Sequence, residues 1–297
     1  MEHILKEYTW LLILTAVLVG FIFPHFGILL KPYLIYLLML LMFFSCLNIK
    51  FNNIIEQLHQ YKDELKALAI IHIASPLIIF FLRSFFSSEI YIGLIIVTSI
   101  SSGLSVVFLS ELYGGKASIS LVITSLSNLL SPFLVPLIIL IFSGKSIELN
   151  YIGIMLTMIQ LVIVPIIFVE LVRKSNFYKA LDKNKTNISL IILFLLILGV
   201  IAPVRDIILD NLNLTFKLSI LVATLSIVNF YMGHFIGKSK KEKLSYAIST
   251  SYKNFTLATV VALTHFSPLV ALPSVIYTVV NNLLLIPLQL LLKNRKS

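Results

Sequence analysis

The chain has 297 residues, 59% of them hydrophobic and 12% charged, with a mean hydropathy of +1.01. A soluble domain carries roughly twice that charged fraction, and the apolar runs are too long for barrel strands and lack their alternation. The composition therefore excludes a soluble globular domain and points to an all-α polytopic membrane protein. The net charge of +10 would suggest nucleic acid in a soluble protein, but loop sidedness around a bilayer accounts for it, and no nucleic-acid partner is expected.

The amino terminus holds Glu2 and Glu7. No small-residue cleavage pattern follows the first apolar run, so a cleaved signal peptide is not expected. The hydropathy pattern predicts ten spans: Thr9–Phe23, Tyr33–Leu47, Ala67–Leu82, Ile90–Tyr113, Ser118–Phe142, Tyr151–Val172, Ile188–Val204, Phe216–Ile236, Leu244–Phe266 and Leu269–Leu292. Cys46, the single cysteine, lies in the second span, reads as a small core hydrophobe and offers neither a disulfide nor a thiolate metal site. Phe51–Lys66 (FNNIIEQLHQYKDELK) is polar with near-helical apolar spacing, and reads either as a short interfacial helix or as a solvated loop.

With the amino terminus cytoplasmic, seventeen basic residues fall on the cytoplasmic side and five on the other, with Lys253 left inside a span. That asymmetry supports ten spans with both termini inside. No connecting segment is long enough for a soluble domain, so residues 1–297 are expected to form one transmembrane domain.

Ten spans divide into five and five, and an odd number per half forces the halves, about 1–145 and 146–297, into opposite orientations. The fourth and ninth spans are the hydroxyl-rich ones, TSISSGLSVVFLSEL and ISTSYKNFTLATV. Each is followed by a span with asparagine shortly before proline, SNLLSP at Ser127–Pro132 and NNLLLIP at Asn281–Pro287. Polar, interrupted spans at matching positions of two halves point to a binding site.

In the fourth span Thr98, Ser99, Ser101, Ser102, Gly103 and Ser105 follow in one run. Such residues weaken a helix interior and free backbone groups to face a cavity, or else they allow close helix packing. In the ninth span Ser249, Thr250 and Ser251 precede Lys253 and Asn254. Helical spacing would set Ser249 beside Lys253 and Thr250 beside Asn254. A lysine at mid-depth costs about 2.5 to 3.5 kcal/mol, so Lys253 needs backbone carbonyls, fourth-span hydroxyls or an anionic substrate as partner. It is either a functional cation or a structural one pinning an unwound backbone.

All thirteen carboxylates fall at span ends or in loops, with Glu111 and Glu170 nearest to the interior. The ionisable groups at depth are Lys253 and the histidines His72 and His234, which read as packing residues or proton relays. No paired carboxylate, HExxH, ligand cluster or phosphate loop is present, so no cofactor or metal is implied. Ser249 with Lys253 as base could in principle hydrolyse an acyl bond, but no oxyanion hole is recognisable.

At these residues the chain resembles the bile acid:sodium symporter-like transporters. NFTLATVVALTHFSPLVALPSVIYTVVNN is similar to that family's ninth and tenth helices, SVVFLSELYGGKASISLVITSLSNLLSPFLVP to its crossover helix and the span after it, and LMLLMFFSCLNIKF to its second span. The resemblance implies ten helices in an inverted repeat, with crossed, interrupted fourth and ninth helices and a panel beside a core domain. It also implies uptake of organic anions such as bile acids, sterol sulfates or small carboxylates, usually with two sodium ions. Asn254 falls on the asparagine beside the substrate, Asn282 on the one in the last helix, and Thr124 and Ser120 on hydroxyls that help to bind the first sodium. The cation sites depart from the pattern: Ser249 stands where the family has a glutamate, Lys253 where it has a glutamine, and Val106 and Val107 on a Ser-Asn pair.

The sequence thus predicts a secondary transporter of a small, anionic substrate in the cytoplasmic membrane, with the Lys253 ammonium standing in for sodium, either as a fixed cation or as a group that loads and releases a proton, and with uniport or exchange as the other possibility. The alternatives are a sodium-coupled symporter of bile-acid-like anions, an efflux carrier of the same type, and a non-transporting receptor or sensor.

Overall fold

A computed structural model describes residues 9–47, 61–143, 150–175 and 178–293. Helices account for almost all of them: α1 (Thr9–Ile22), α2 (Pro24–Cys46), α3 (Tyr61–Phe81), α4 (Ser88–Ser99), α5 (Val106–Leu112), α6 (Ala117–Ser143), α7 (Tyr151–Arg173), α8 (Tyr178–Asp210), α9 (Leu212–His234), α10 (Lys240–Ser251), α11 (Phe255–His265) and α12 (Pro268–Lys293). Six of these (α2, α3, α6, α7, α8 and α9) are long and apolar enough to cross a membrane, and α1, α4, α11 and α12 supply shorter apolar stretches. Large apolar side chains such as Leu18, Phe26, Ile152, Phe168, Ile220 and Phe235 stand exposed on the outside. A protein surrounded by hydrocarbon has no reason to hide such residues.

Three element boundaries differ from the sequence expectation. α2 begins at Pro24 rather than near Tyr33, because Pro24 occupies the first turn and a 3₁₀ turn over Lys31–Tyr33 carries the helix through Pro32. Tyr61–Lys66 is helical and runs on without a break into the apolar part of α3; residues 51–60 of that segment lie outside the described residues. α8 begins at Tyr178, running its polar first turns straight into the apolar part.

The fourth and ninth spans are broken, as their hydroxyl runs suggest. The hydroxyls of Thr98 and Ser99 bond back to the carbonyls of Leu94 and Ile95, at 2.6 and 2.7 Å, and α4 ends as Ile100 turns extended. Ser239 and Glu242 form a capping box at the start of α10. That helix ends where Tyr252 turns extended, and Asn254 caps α11 by accepting from the Leu257 N–H at 3.2 Å.

Packing sorts the helices into two groups. α1, α2, α7 and α8 pack on one another, while α3 to α6 and α9 to α12 pack around the two breaks. The groups meet chiefly where α6 lies on α7, where α11 touches α2, α7 and α8, and where α12 lies on the last turns of α8. Close approach within the second group depends on glycine: a Cβ on Gly93 would sit 2.2 Å from the Val270 carbonyl of α12, and one on Gly233 2.2 Å from Thr250 Oγ1.

Candidate functional site

The two breaks meet. Ser102 and Lys253 form an isolated antiparallel bridge, flanked by Gly103 N–H donating to Tyr252 O at 2.9 Å and Asn254 N–H donating to Ser101 O at 2.8 Å. Extended backbone inside an apolar body must satisfy its own polar groups, and each break does so through the other.

Each helix end leaves carbonyls without intrahelical donors. Ser102 Oγ donates to Ser249 O in the last turn of α10 at 2.9 Å. Lys253 Nζ donates to Thr98 O in the last turn of α4 and, at 2.6 Å, to Ile71 O of α3. The Ser102 N–H that would have served Thr98 in a continuous helix goes to Ser127 Oγ instead, at 3.1 Å. Ile71 O is free for a related reason: α3 contains a π turn over Ile70–Ala74, the Ser75 N–H bonds Ile70 O, and Pro76 has no N–H to offer. Lys253 is 1% exposed. Its positive end lies at the carbonyl terminus of α4, where a helix carries partial negative charge.

Around this crossing sits a hydroxyl and amide cluster. Ser249 Oγ donates to Ser120 Oγ at 3.1 Å, and Thr124 Oγ1 donates to Ser102 Oγ at 3.5 Å. Asn128 Nδ2 donates to Thr124 O and Ser102 O at 2.8 and 3.3 Å, while its Oδ1 accepts from Ser101 Oγ at 3.0 Å. On the other side, Asn281 Nδ2 donates to Ser251 O at 3.2 Å and its Oδ1 accepts from Ser226 Oγ at 2.5 Å.

Of the residues singled out from sequence, Ser102, Lys253, Ser249, Ser120 and Thr124 come together here. Asn254 lies at the edge of the cluster, its Nδ2 4.0 Å from Met42 Sδ of α2, so it stands where the two helix groups meet. Asn282 accepts from the Tyr252 hydroxyl at 3.2 Å. Thr250 faces elsewhere, donating to Asn229 O of α9 at 2.8 Å; Ser251 bonds back to Ala247 O at 2.8 Å; Ser105 is exposed at the start of α5. The expected side-by-side arrangement of Ser249 with Lys253 and of Thr250 with Asn254 is not found, because α10 ends at Ser251 and the helical spacing does not continue. With it goes the geometric basis for a Ser249/Lys253 nucleophile pair. His234 is half-buried at the end of α9, edge-on to Phe235 at 6.0 Å.

Sequence reasoning placed Ser101 only within the fourth-span run and Ser127 and Asn128 only within SNLLSP, without giving any of them a partner, and it left out the Ile71 carbonyl. Asn128 carried a signal in SNLLSP. The Ile71 carbonyl carried none, since it belongs to an apolar residue.

A family model described as the Sodium Bile acid symporter family matches residues 35–210. An uncharacterized sodium-dependent transporter of Bacillus subtilis (strain 168), YocS, is 25% identical over 284 residues, covering 92% of this chain and 86% of its own length.

Proposed function

The chain belongs to the sodium bile acid symporter family, and from that membership we propose that it is a secondary active transporter of a small organic anion, working by alternating access with the Lys253 ammonium in place of a coupling sodium ion. The observation that carries this reading is the seat of Lys253: backbone carbonyls from α3 and α4 converge on a buried ammonium, as carbonyls converge on a cation. A fixed positive charge there disfavours a mobile cation beside it by like-charge repulsion and leaves a field attractive to an anion.

The same proposal counts α4 with α5, and α10 with α11, as one broken span each. That makes ten spans in inverted halves, about 1–145 and 146–297, of one domain with both termini cytoplasmic. The reciprocal bonds of Ser102 and Lys253 support it, as do the matched asparagines Asn128 and Asn281, each holding a carbonyl at the preceding break. In this reading α1, α2, α7 and α8 are the panel and the other helices the core. Asn254 and Asn282 face the substrate between them, with Ser105 at its margin. Ser249, Thr250, Ser251, Ser102, Thr124 and Ser120 hold the crossing.

A sodium-coupled symporter is the second reading, favoured by the name of the Bacillus relative, which describes a sodium-dependent transporter. The two separate in proteoliposomes loaded for uptake of taurocholate and a panel of small carboxylates, with sodium and pH gradients imposed separately. Uptake indifferent to sodium and lost in Lys253→Ala is the expected result. Strict sodium dependence, or full activity in Lys253→Ala, overturns it. A ligand that shifts the melting temperature but is never taken up would mark a receptor instead.

A further inference from the structure

The carbonyl end of α4 carries two basic side chains, not one. Beside Lys253 on Thr98 O, His72 places Nδ1 2.8 Å from Ser99 O, the next carbonyl along. Ser99 O can only accept, so Nδ1 holds the proton and Nε2 is left with its lone pair. His72 is 1% exposed; the Ser127 backbone of α6 also bears on its ring, but Nε2 makes no hydrogen bond of ordinary geometry among the described residues. A buried acceptor without a donor is costly and calls for an explanation. The same π turn that frees Ile71 O for Lys253 also carries His72, so one local feature of α3 delivers both the carbonyl and the imidazole to one place. π turns of this kind are frequent at functional sites.

We propose that His72 and Lys253 form one proton-binding unit that holds a single positive charge at the crossing, the imidazole taking the charge when the lysine gives it up. This rests on the reading of Lys253 as the transport cation and adds a second seat for its charge. The two groups are linked through charge rather than by a shared hydrogen bond: when an N–H bond breaks at Lys253 Nζ and its proton leaves the site, the neutral amine no longer repels a charge on the imidazole, and an N–H bond forms at His72 Nε2 with a proton taken up from outside the site, leaving an imidazolium whose Nδ1–H stays on Ser99 O. The charge in the cage remains one throughout. Two charges there would repel each other through a low-dielectric interior, and none would leave the end of the α4 dipole without its counter-charge.

Among the described residues, α3 itself carries Tyr61, Lys62, Asp63, Glu64 and Lys66 in its first turns, before the π turn, with Asp63 and Glu64 buried and Asp63 paired with Lys66, and Tyr252 beside Lys253 turns its hydroxyl to Asn282. The helices packed on the π turn and its flanks are α4, α6, α9 and α10. α6 has no ionisable residue, and those of α4, Glu89 and Tyr91, stand at its far end. Lys217, Tyr231 and His234 of α9 are exposed or half-buried. From α10 the Tyr246 ring packs on Ile71, while the charged residues of that helix cluster at its start, where Glu242 pairs with Lys116.

The test is nitrogen NMR of the full-length protein in lipid nanodiscs, labelled with ¹⁵N-histidine, with the His72 signal assigned by its loss in His72→Gln. Wild type is expected to show the neutral Nδ1–H tautomer throughout the range of about pH 5 to 8 in which histidine ordinarily changes charge. In Lys253→Met the signal is expected to move to the imidazolium pattern within that range, and in Lys253→Arg to stay neutral. Lys253→Gln replaces the methionine variant if that one fails to fold. An imidazolium or an Nε2–H tautomer in wild type overturns the proposal, and so does a His72 that stays neutral when the lysine is gone. The readout needs neither substrate nor sodium. Strict sodium dependence of uptake would therefore sink the transport reading without touching this result, and an unresponsive His72 would sink this one alone.

Discussion

Ser102 and Lys253 face each other across a single antiparallel bridge, and each side chain reaches past it to a carbonyl in the last turn of the other's helix: Ser102 Oγ to Ser249 O, Lys253 Nζ to Thr98 O. The acceptor in each case lies four residues before the opposite bridge residue. The two half-spans therefore cap one another reciprocally, one with a neutral hydroxyl and one with a cation.

The two caps differ in consequence. Ser102→Ala removes two neutral hydrogen bonds, the one to Ser249 O and the longer one from Thr124 Oγ1, and strands a single carbonyl, and is expected to cost about 1 to 3 kcal/mol. Lys253→Met strands both Thr98 O and Ile71 O, each worth about 1 to 3 kcal/mol when buried without a donor, although it also relieves the desolvation of a charge. Thermal unfolding in detergent should rank Lys253→Met below Ser102→Ala, and uptake should be lost only in the lysine variant. The reverse ranking would mean that the ammonium is not what holds the crossing.

The crossing also needs an absent side chain. A Cβ on Gly103 would lie 2.8 Å from Tyr252 Cδ1 and 3.0 Å from Lys253 O. The ring can give way, but the carbonyl belongs to the bridge itself. Gly103→Ala is expected to destabilise by about 1 to 3 kcal/mol, as overpacking generally does, and to lower uptake more than it lowers the melting temperature, because the strain falls on the break. A melting temperature and uptake equal to wild type would show the crossing to be looser than these distances imply.

The breaks could be read from the chain because serine and glycine runs in an apolar context announce them, and Lys253 because its charge is expensive there. What could not be read is which backbone groups would answer. Ile71 looks like any other isoleucine, and its carbonyl is an acceptor only because a π turn and Pro76 together withdraw the usual donors. The start of α2 was hidden for the opposite reason: the expected spans stop at Phe23 and resume at Tyr33, leaving Pro24, Lys31 and Pro32 between them, yet a proline in a first turn is no obstacle to a helix. The spacing argument for Ser249 and Lys253 failed because it carried helical periodicity across a residue, Tyr252, whose backbone is extended.

Asn128 and Asn281 offer a test of the likeness between the halves. Each sits on the long helix after a break and donates its amide to a carbonyl there, Ser102 O at 3.3 Å and Ser251 O at 3.2 Å. Each also accepts from a serine hydroxyl. Replacing either by alanine removes the amide donor of a carbonyl at the break and the acceptor of a buried serine hydroxyl, so Asn128→Ala and Asn281→Ala are expected to lower stability by similar amounts, about 2 kcal/mol each. The double variant should lose the sum if the breaks are independent, and a different amount if the bridge couples them. Calorimetry or chemical denaturation of the four proteins in one detergent reads this directly, and a large loss in one single variant with none in the other would argue against matched roles.

At the start of α10, outside the broken span, Glu242 Oε1 accepts from Lys116 Nζ at 2.8 Å, and Oε2 accepts from the N–H groups of Lys238 and Ser239 at 3.1 and 3.2 Å. The Lys116 hydrogen bond, followed by those two backbone donors, pulls the Glu242 carboxyl down from an ordinary value of 4.5 to about 2. A carboxyl lowered by folding stabilises the protein fully above its unfolded value and loses that contribution as the pH falls through the folded one. The window here runs from about 4.5 down to about 2. Glu242→Gln is therefore expected to melt below wild type at neutral pH, by about 1 kcal/mol as for the loss of a helix cap, and the gap should close as the pH drops through that window. Melting curves of both proteins across the pH range check this; a gap that stays constant to the acid end would mean that the carboxylate charge contributes nothing and that only side-chain shape matters at this corner.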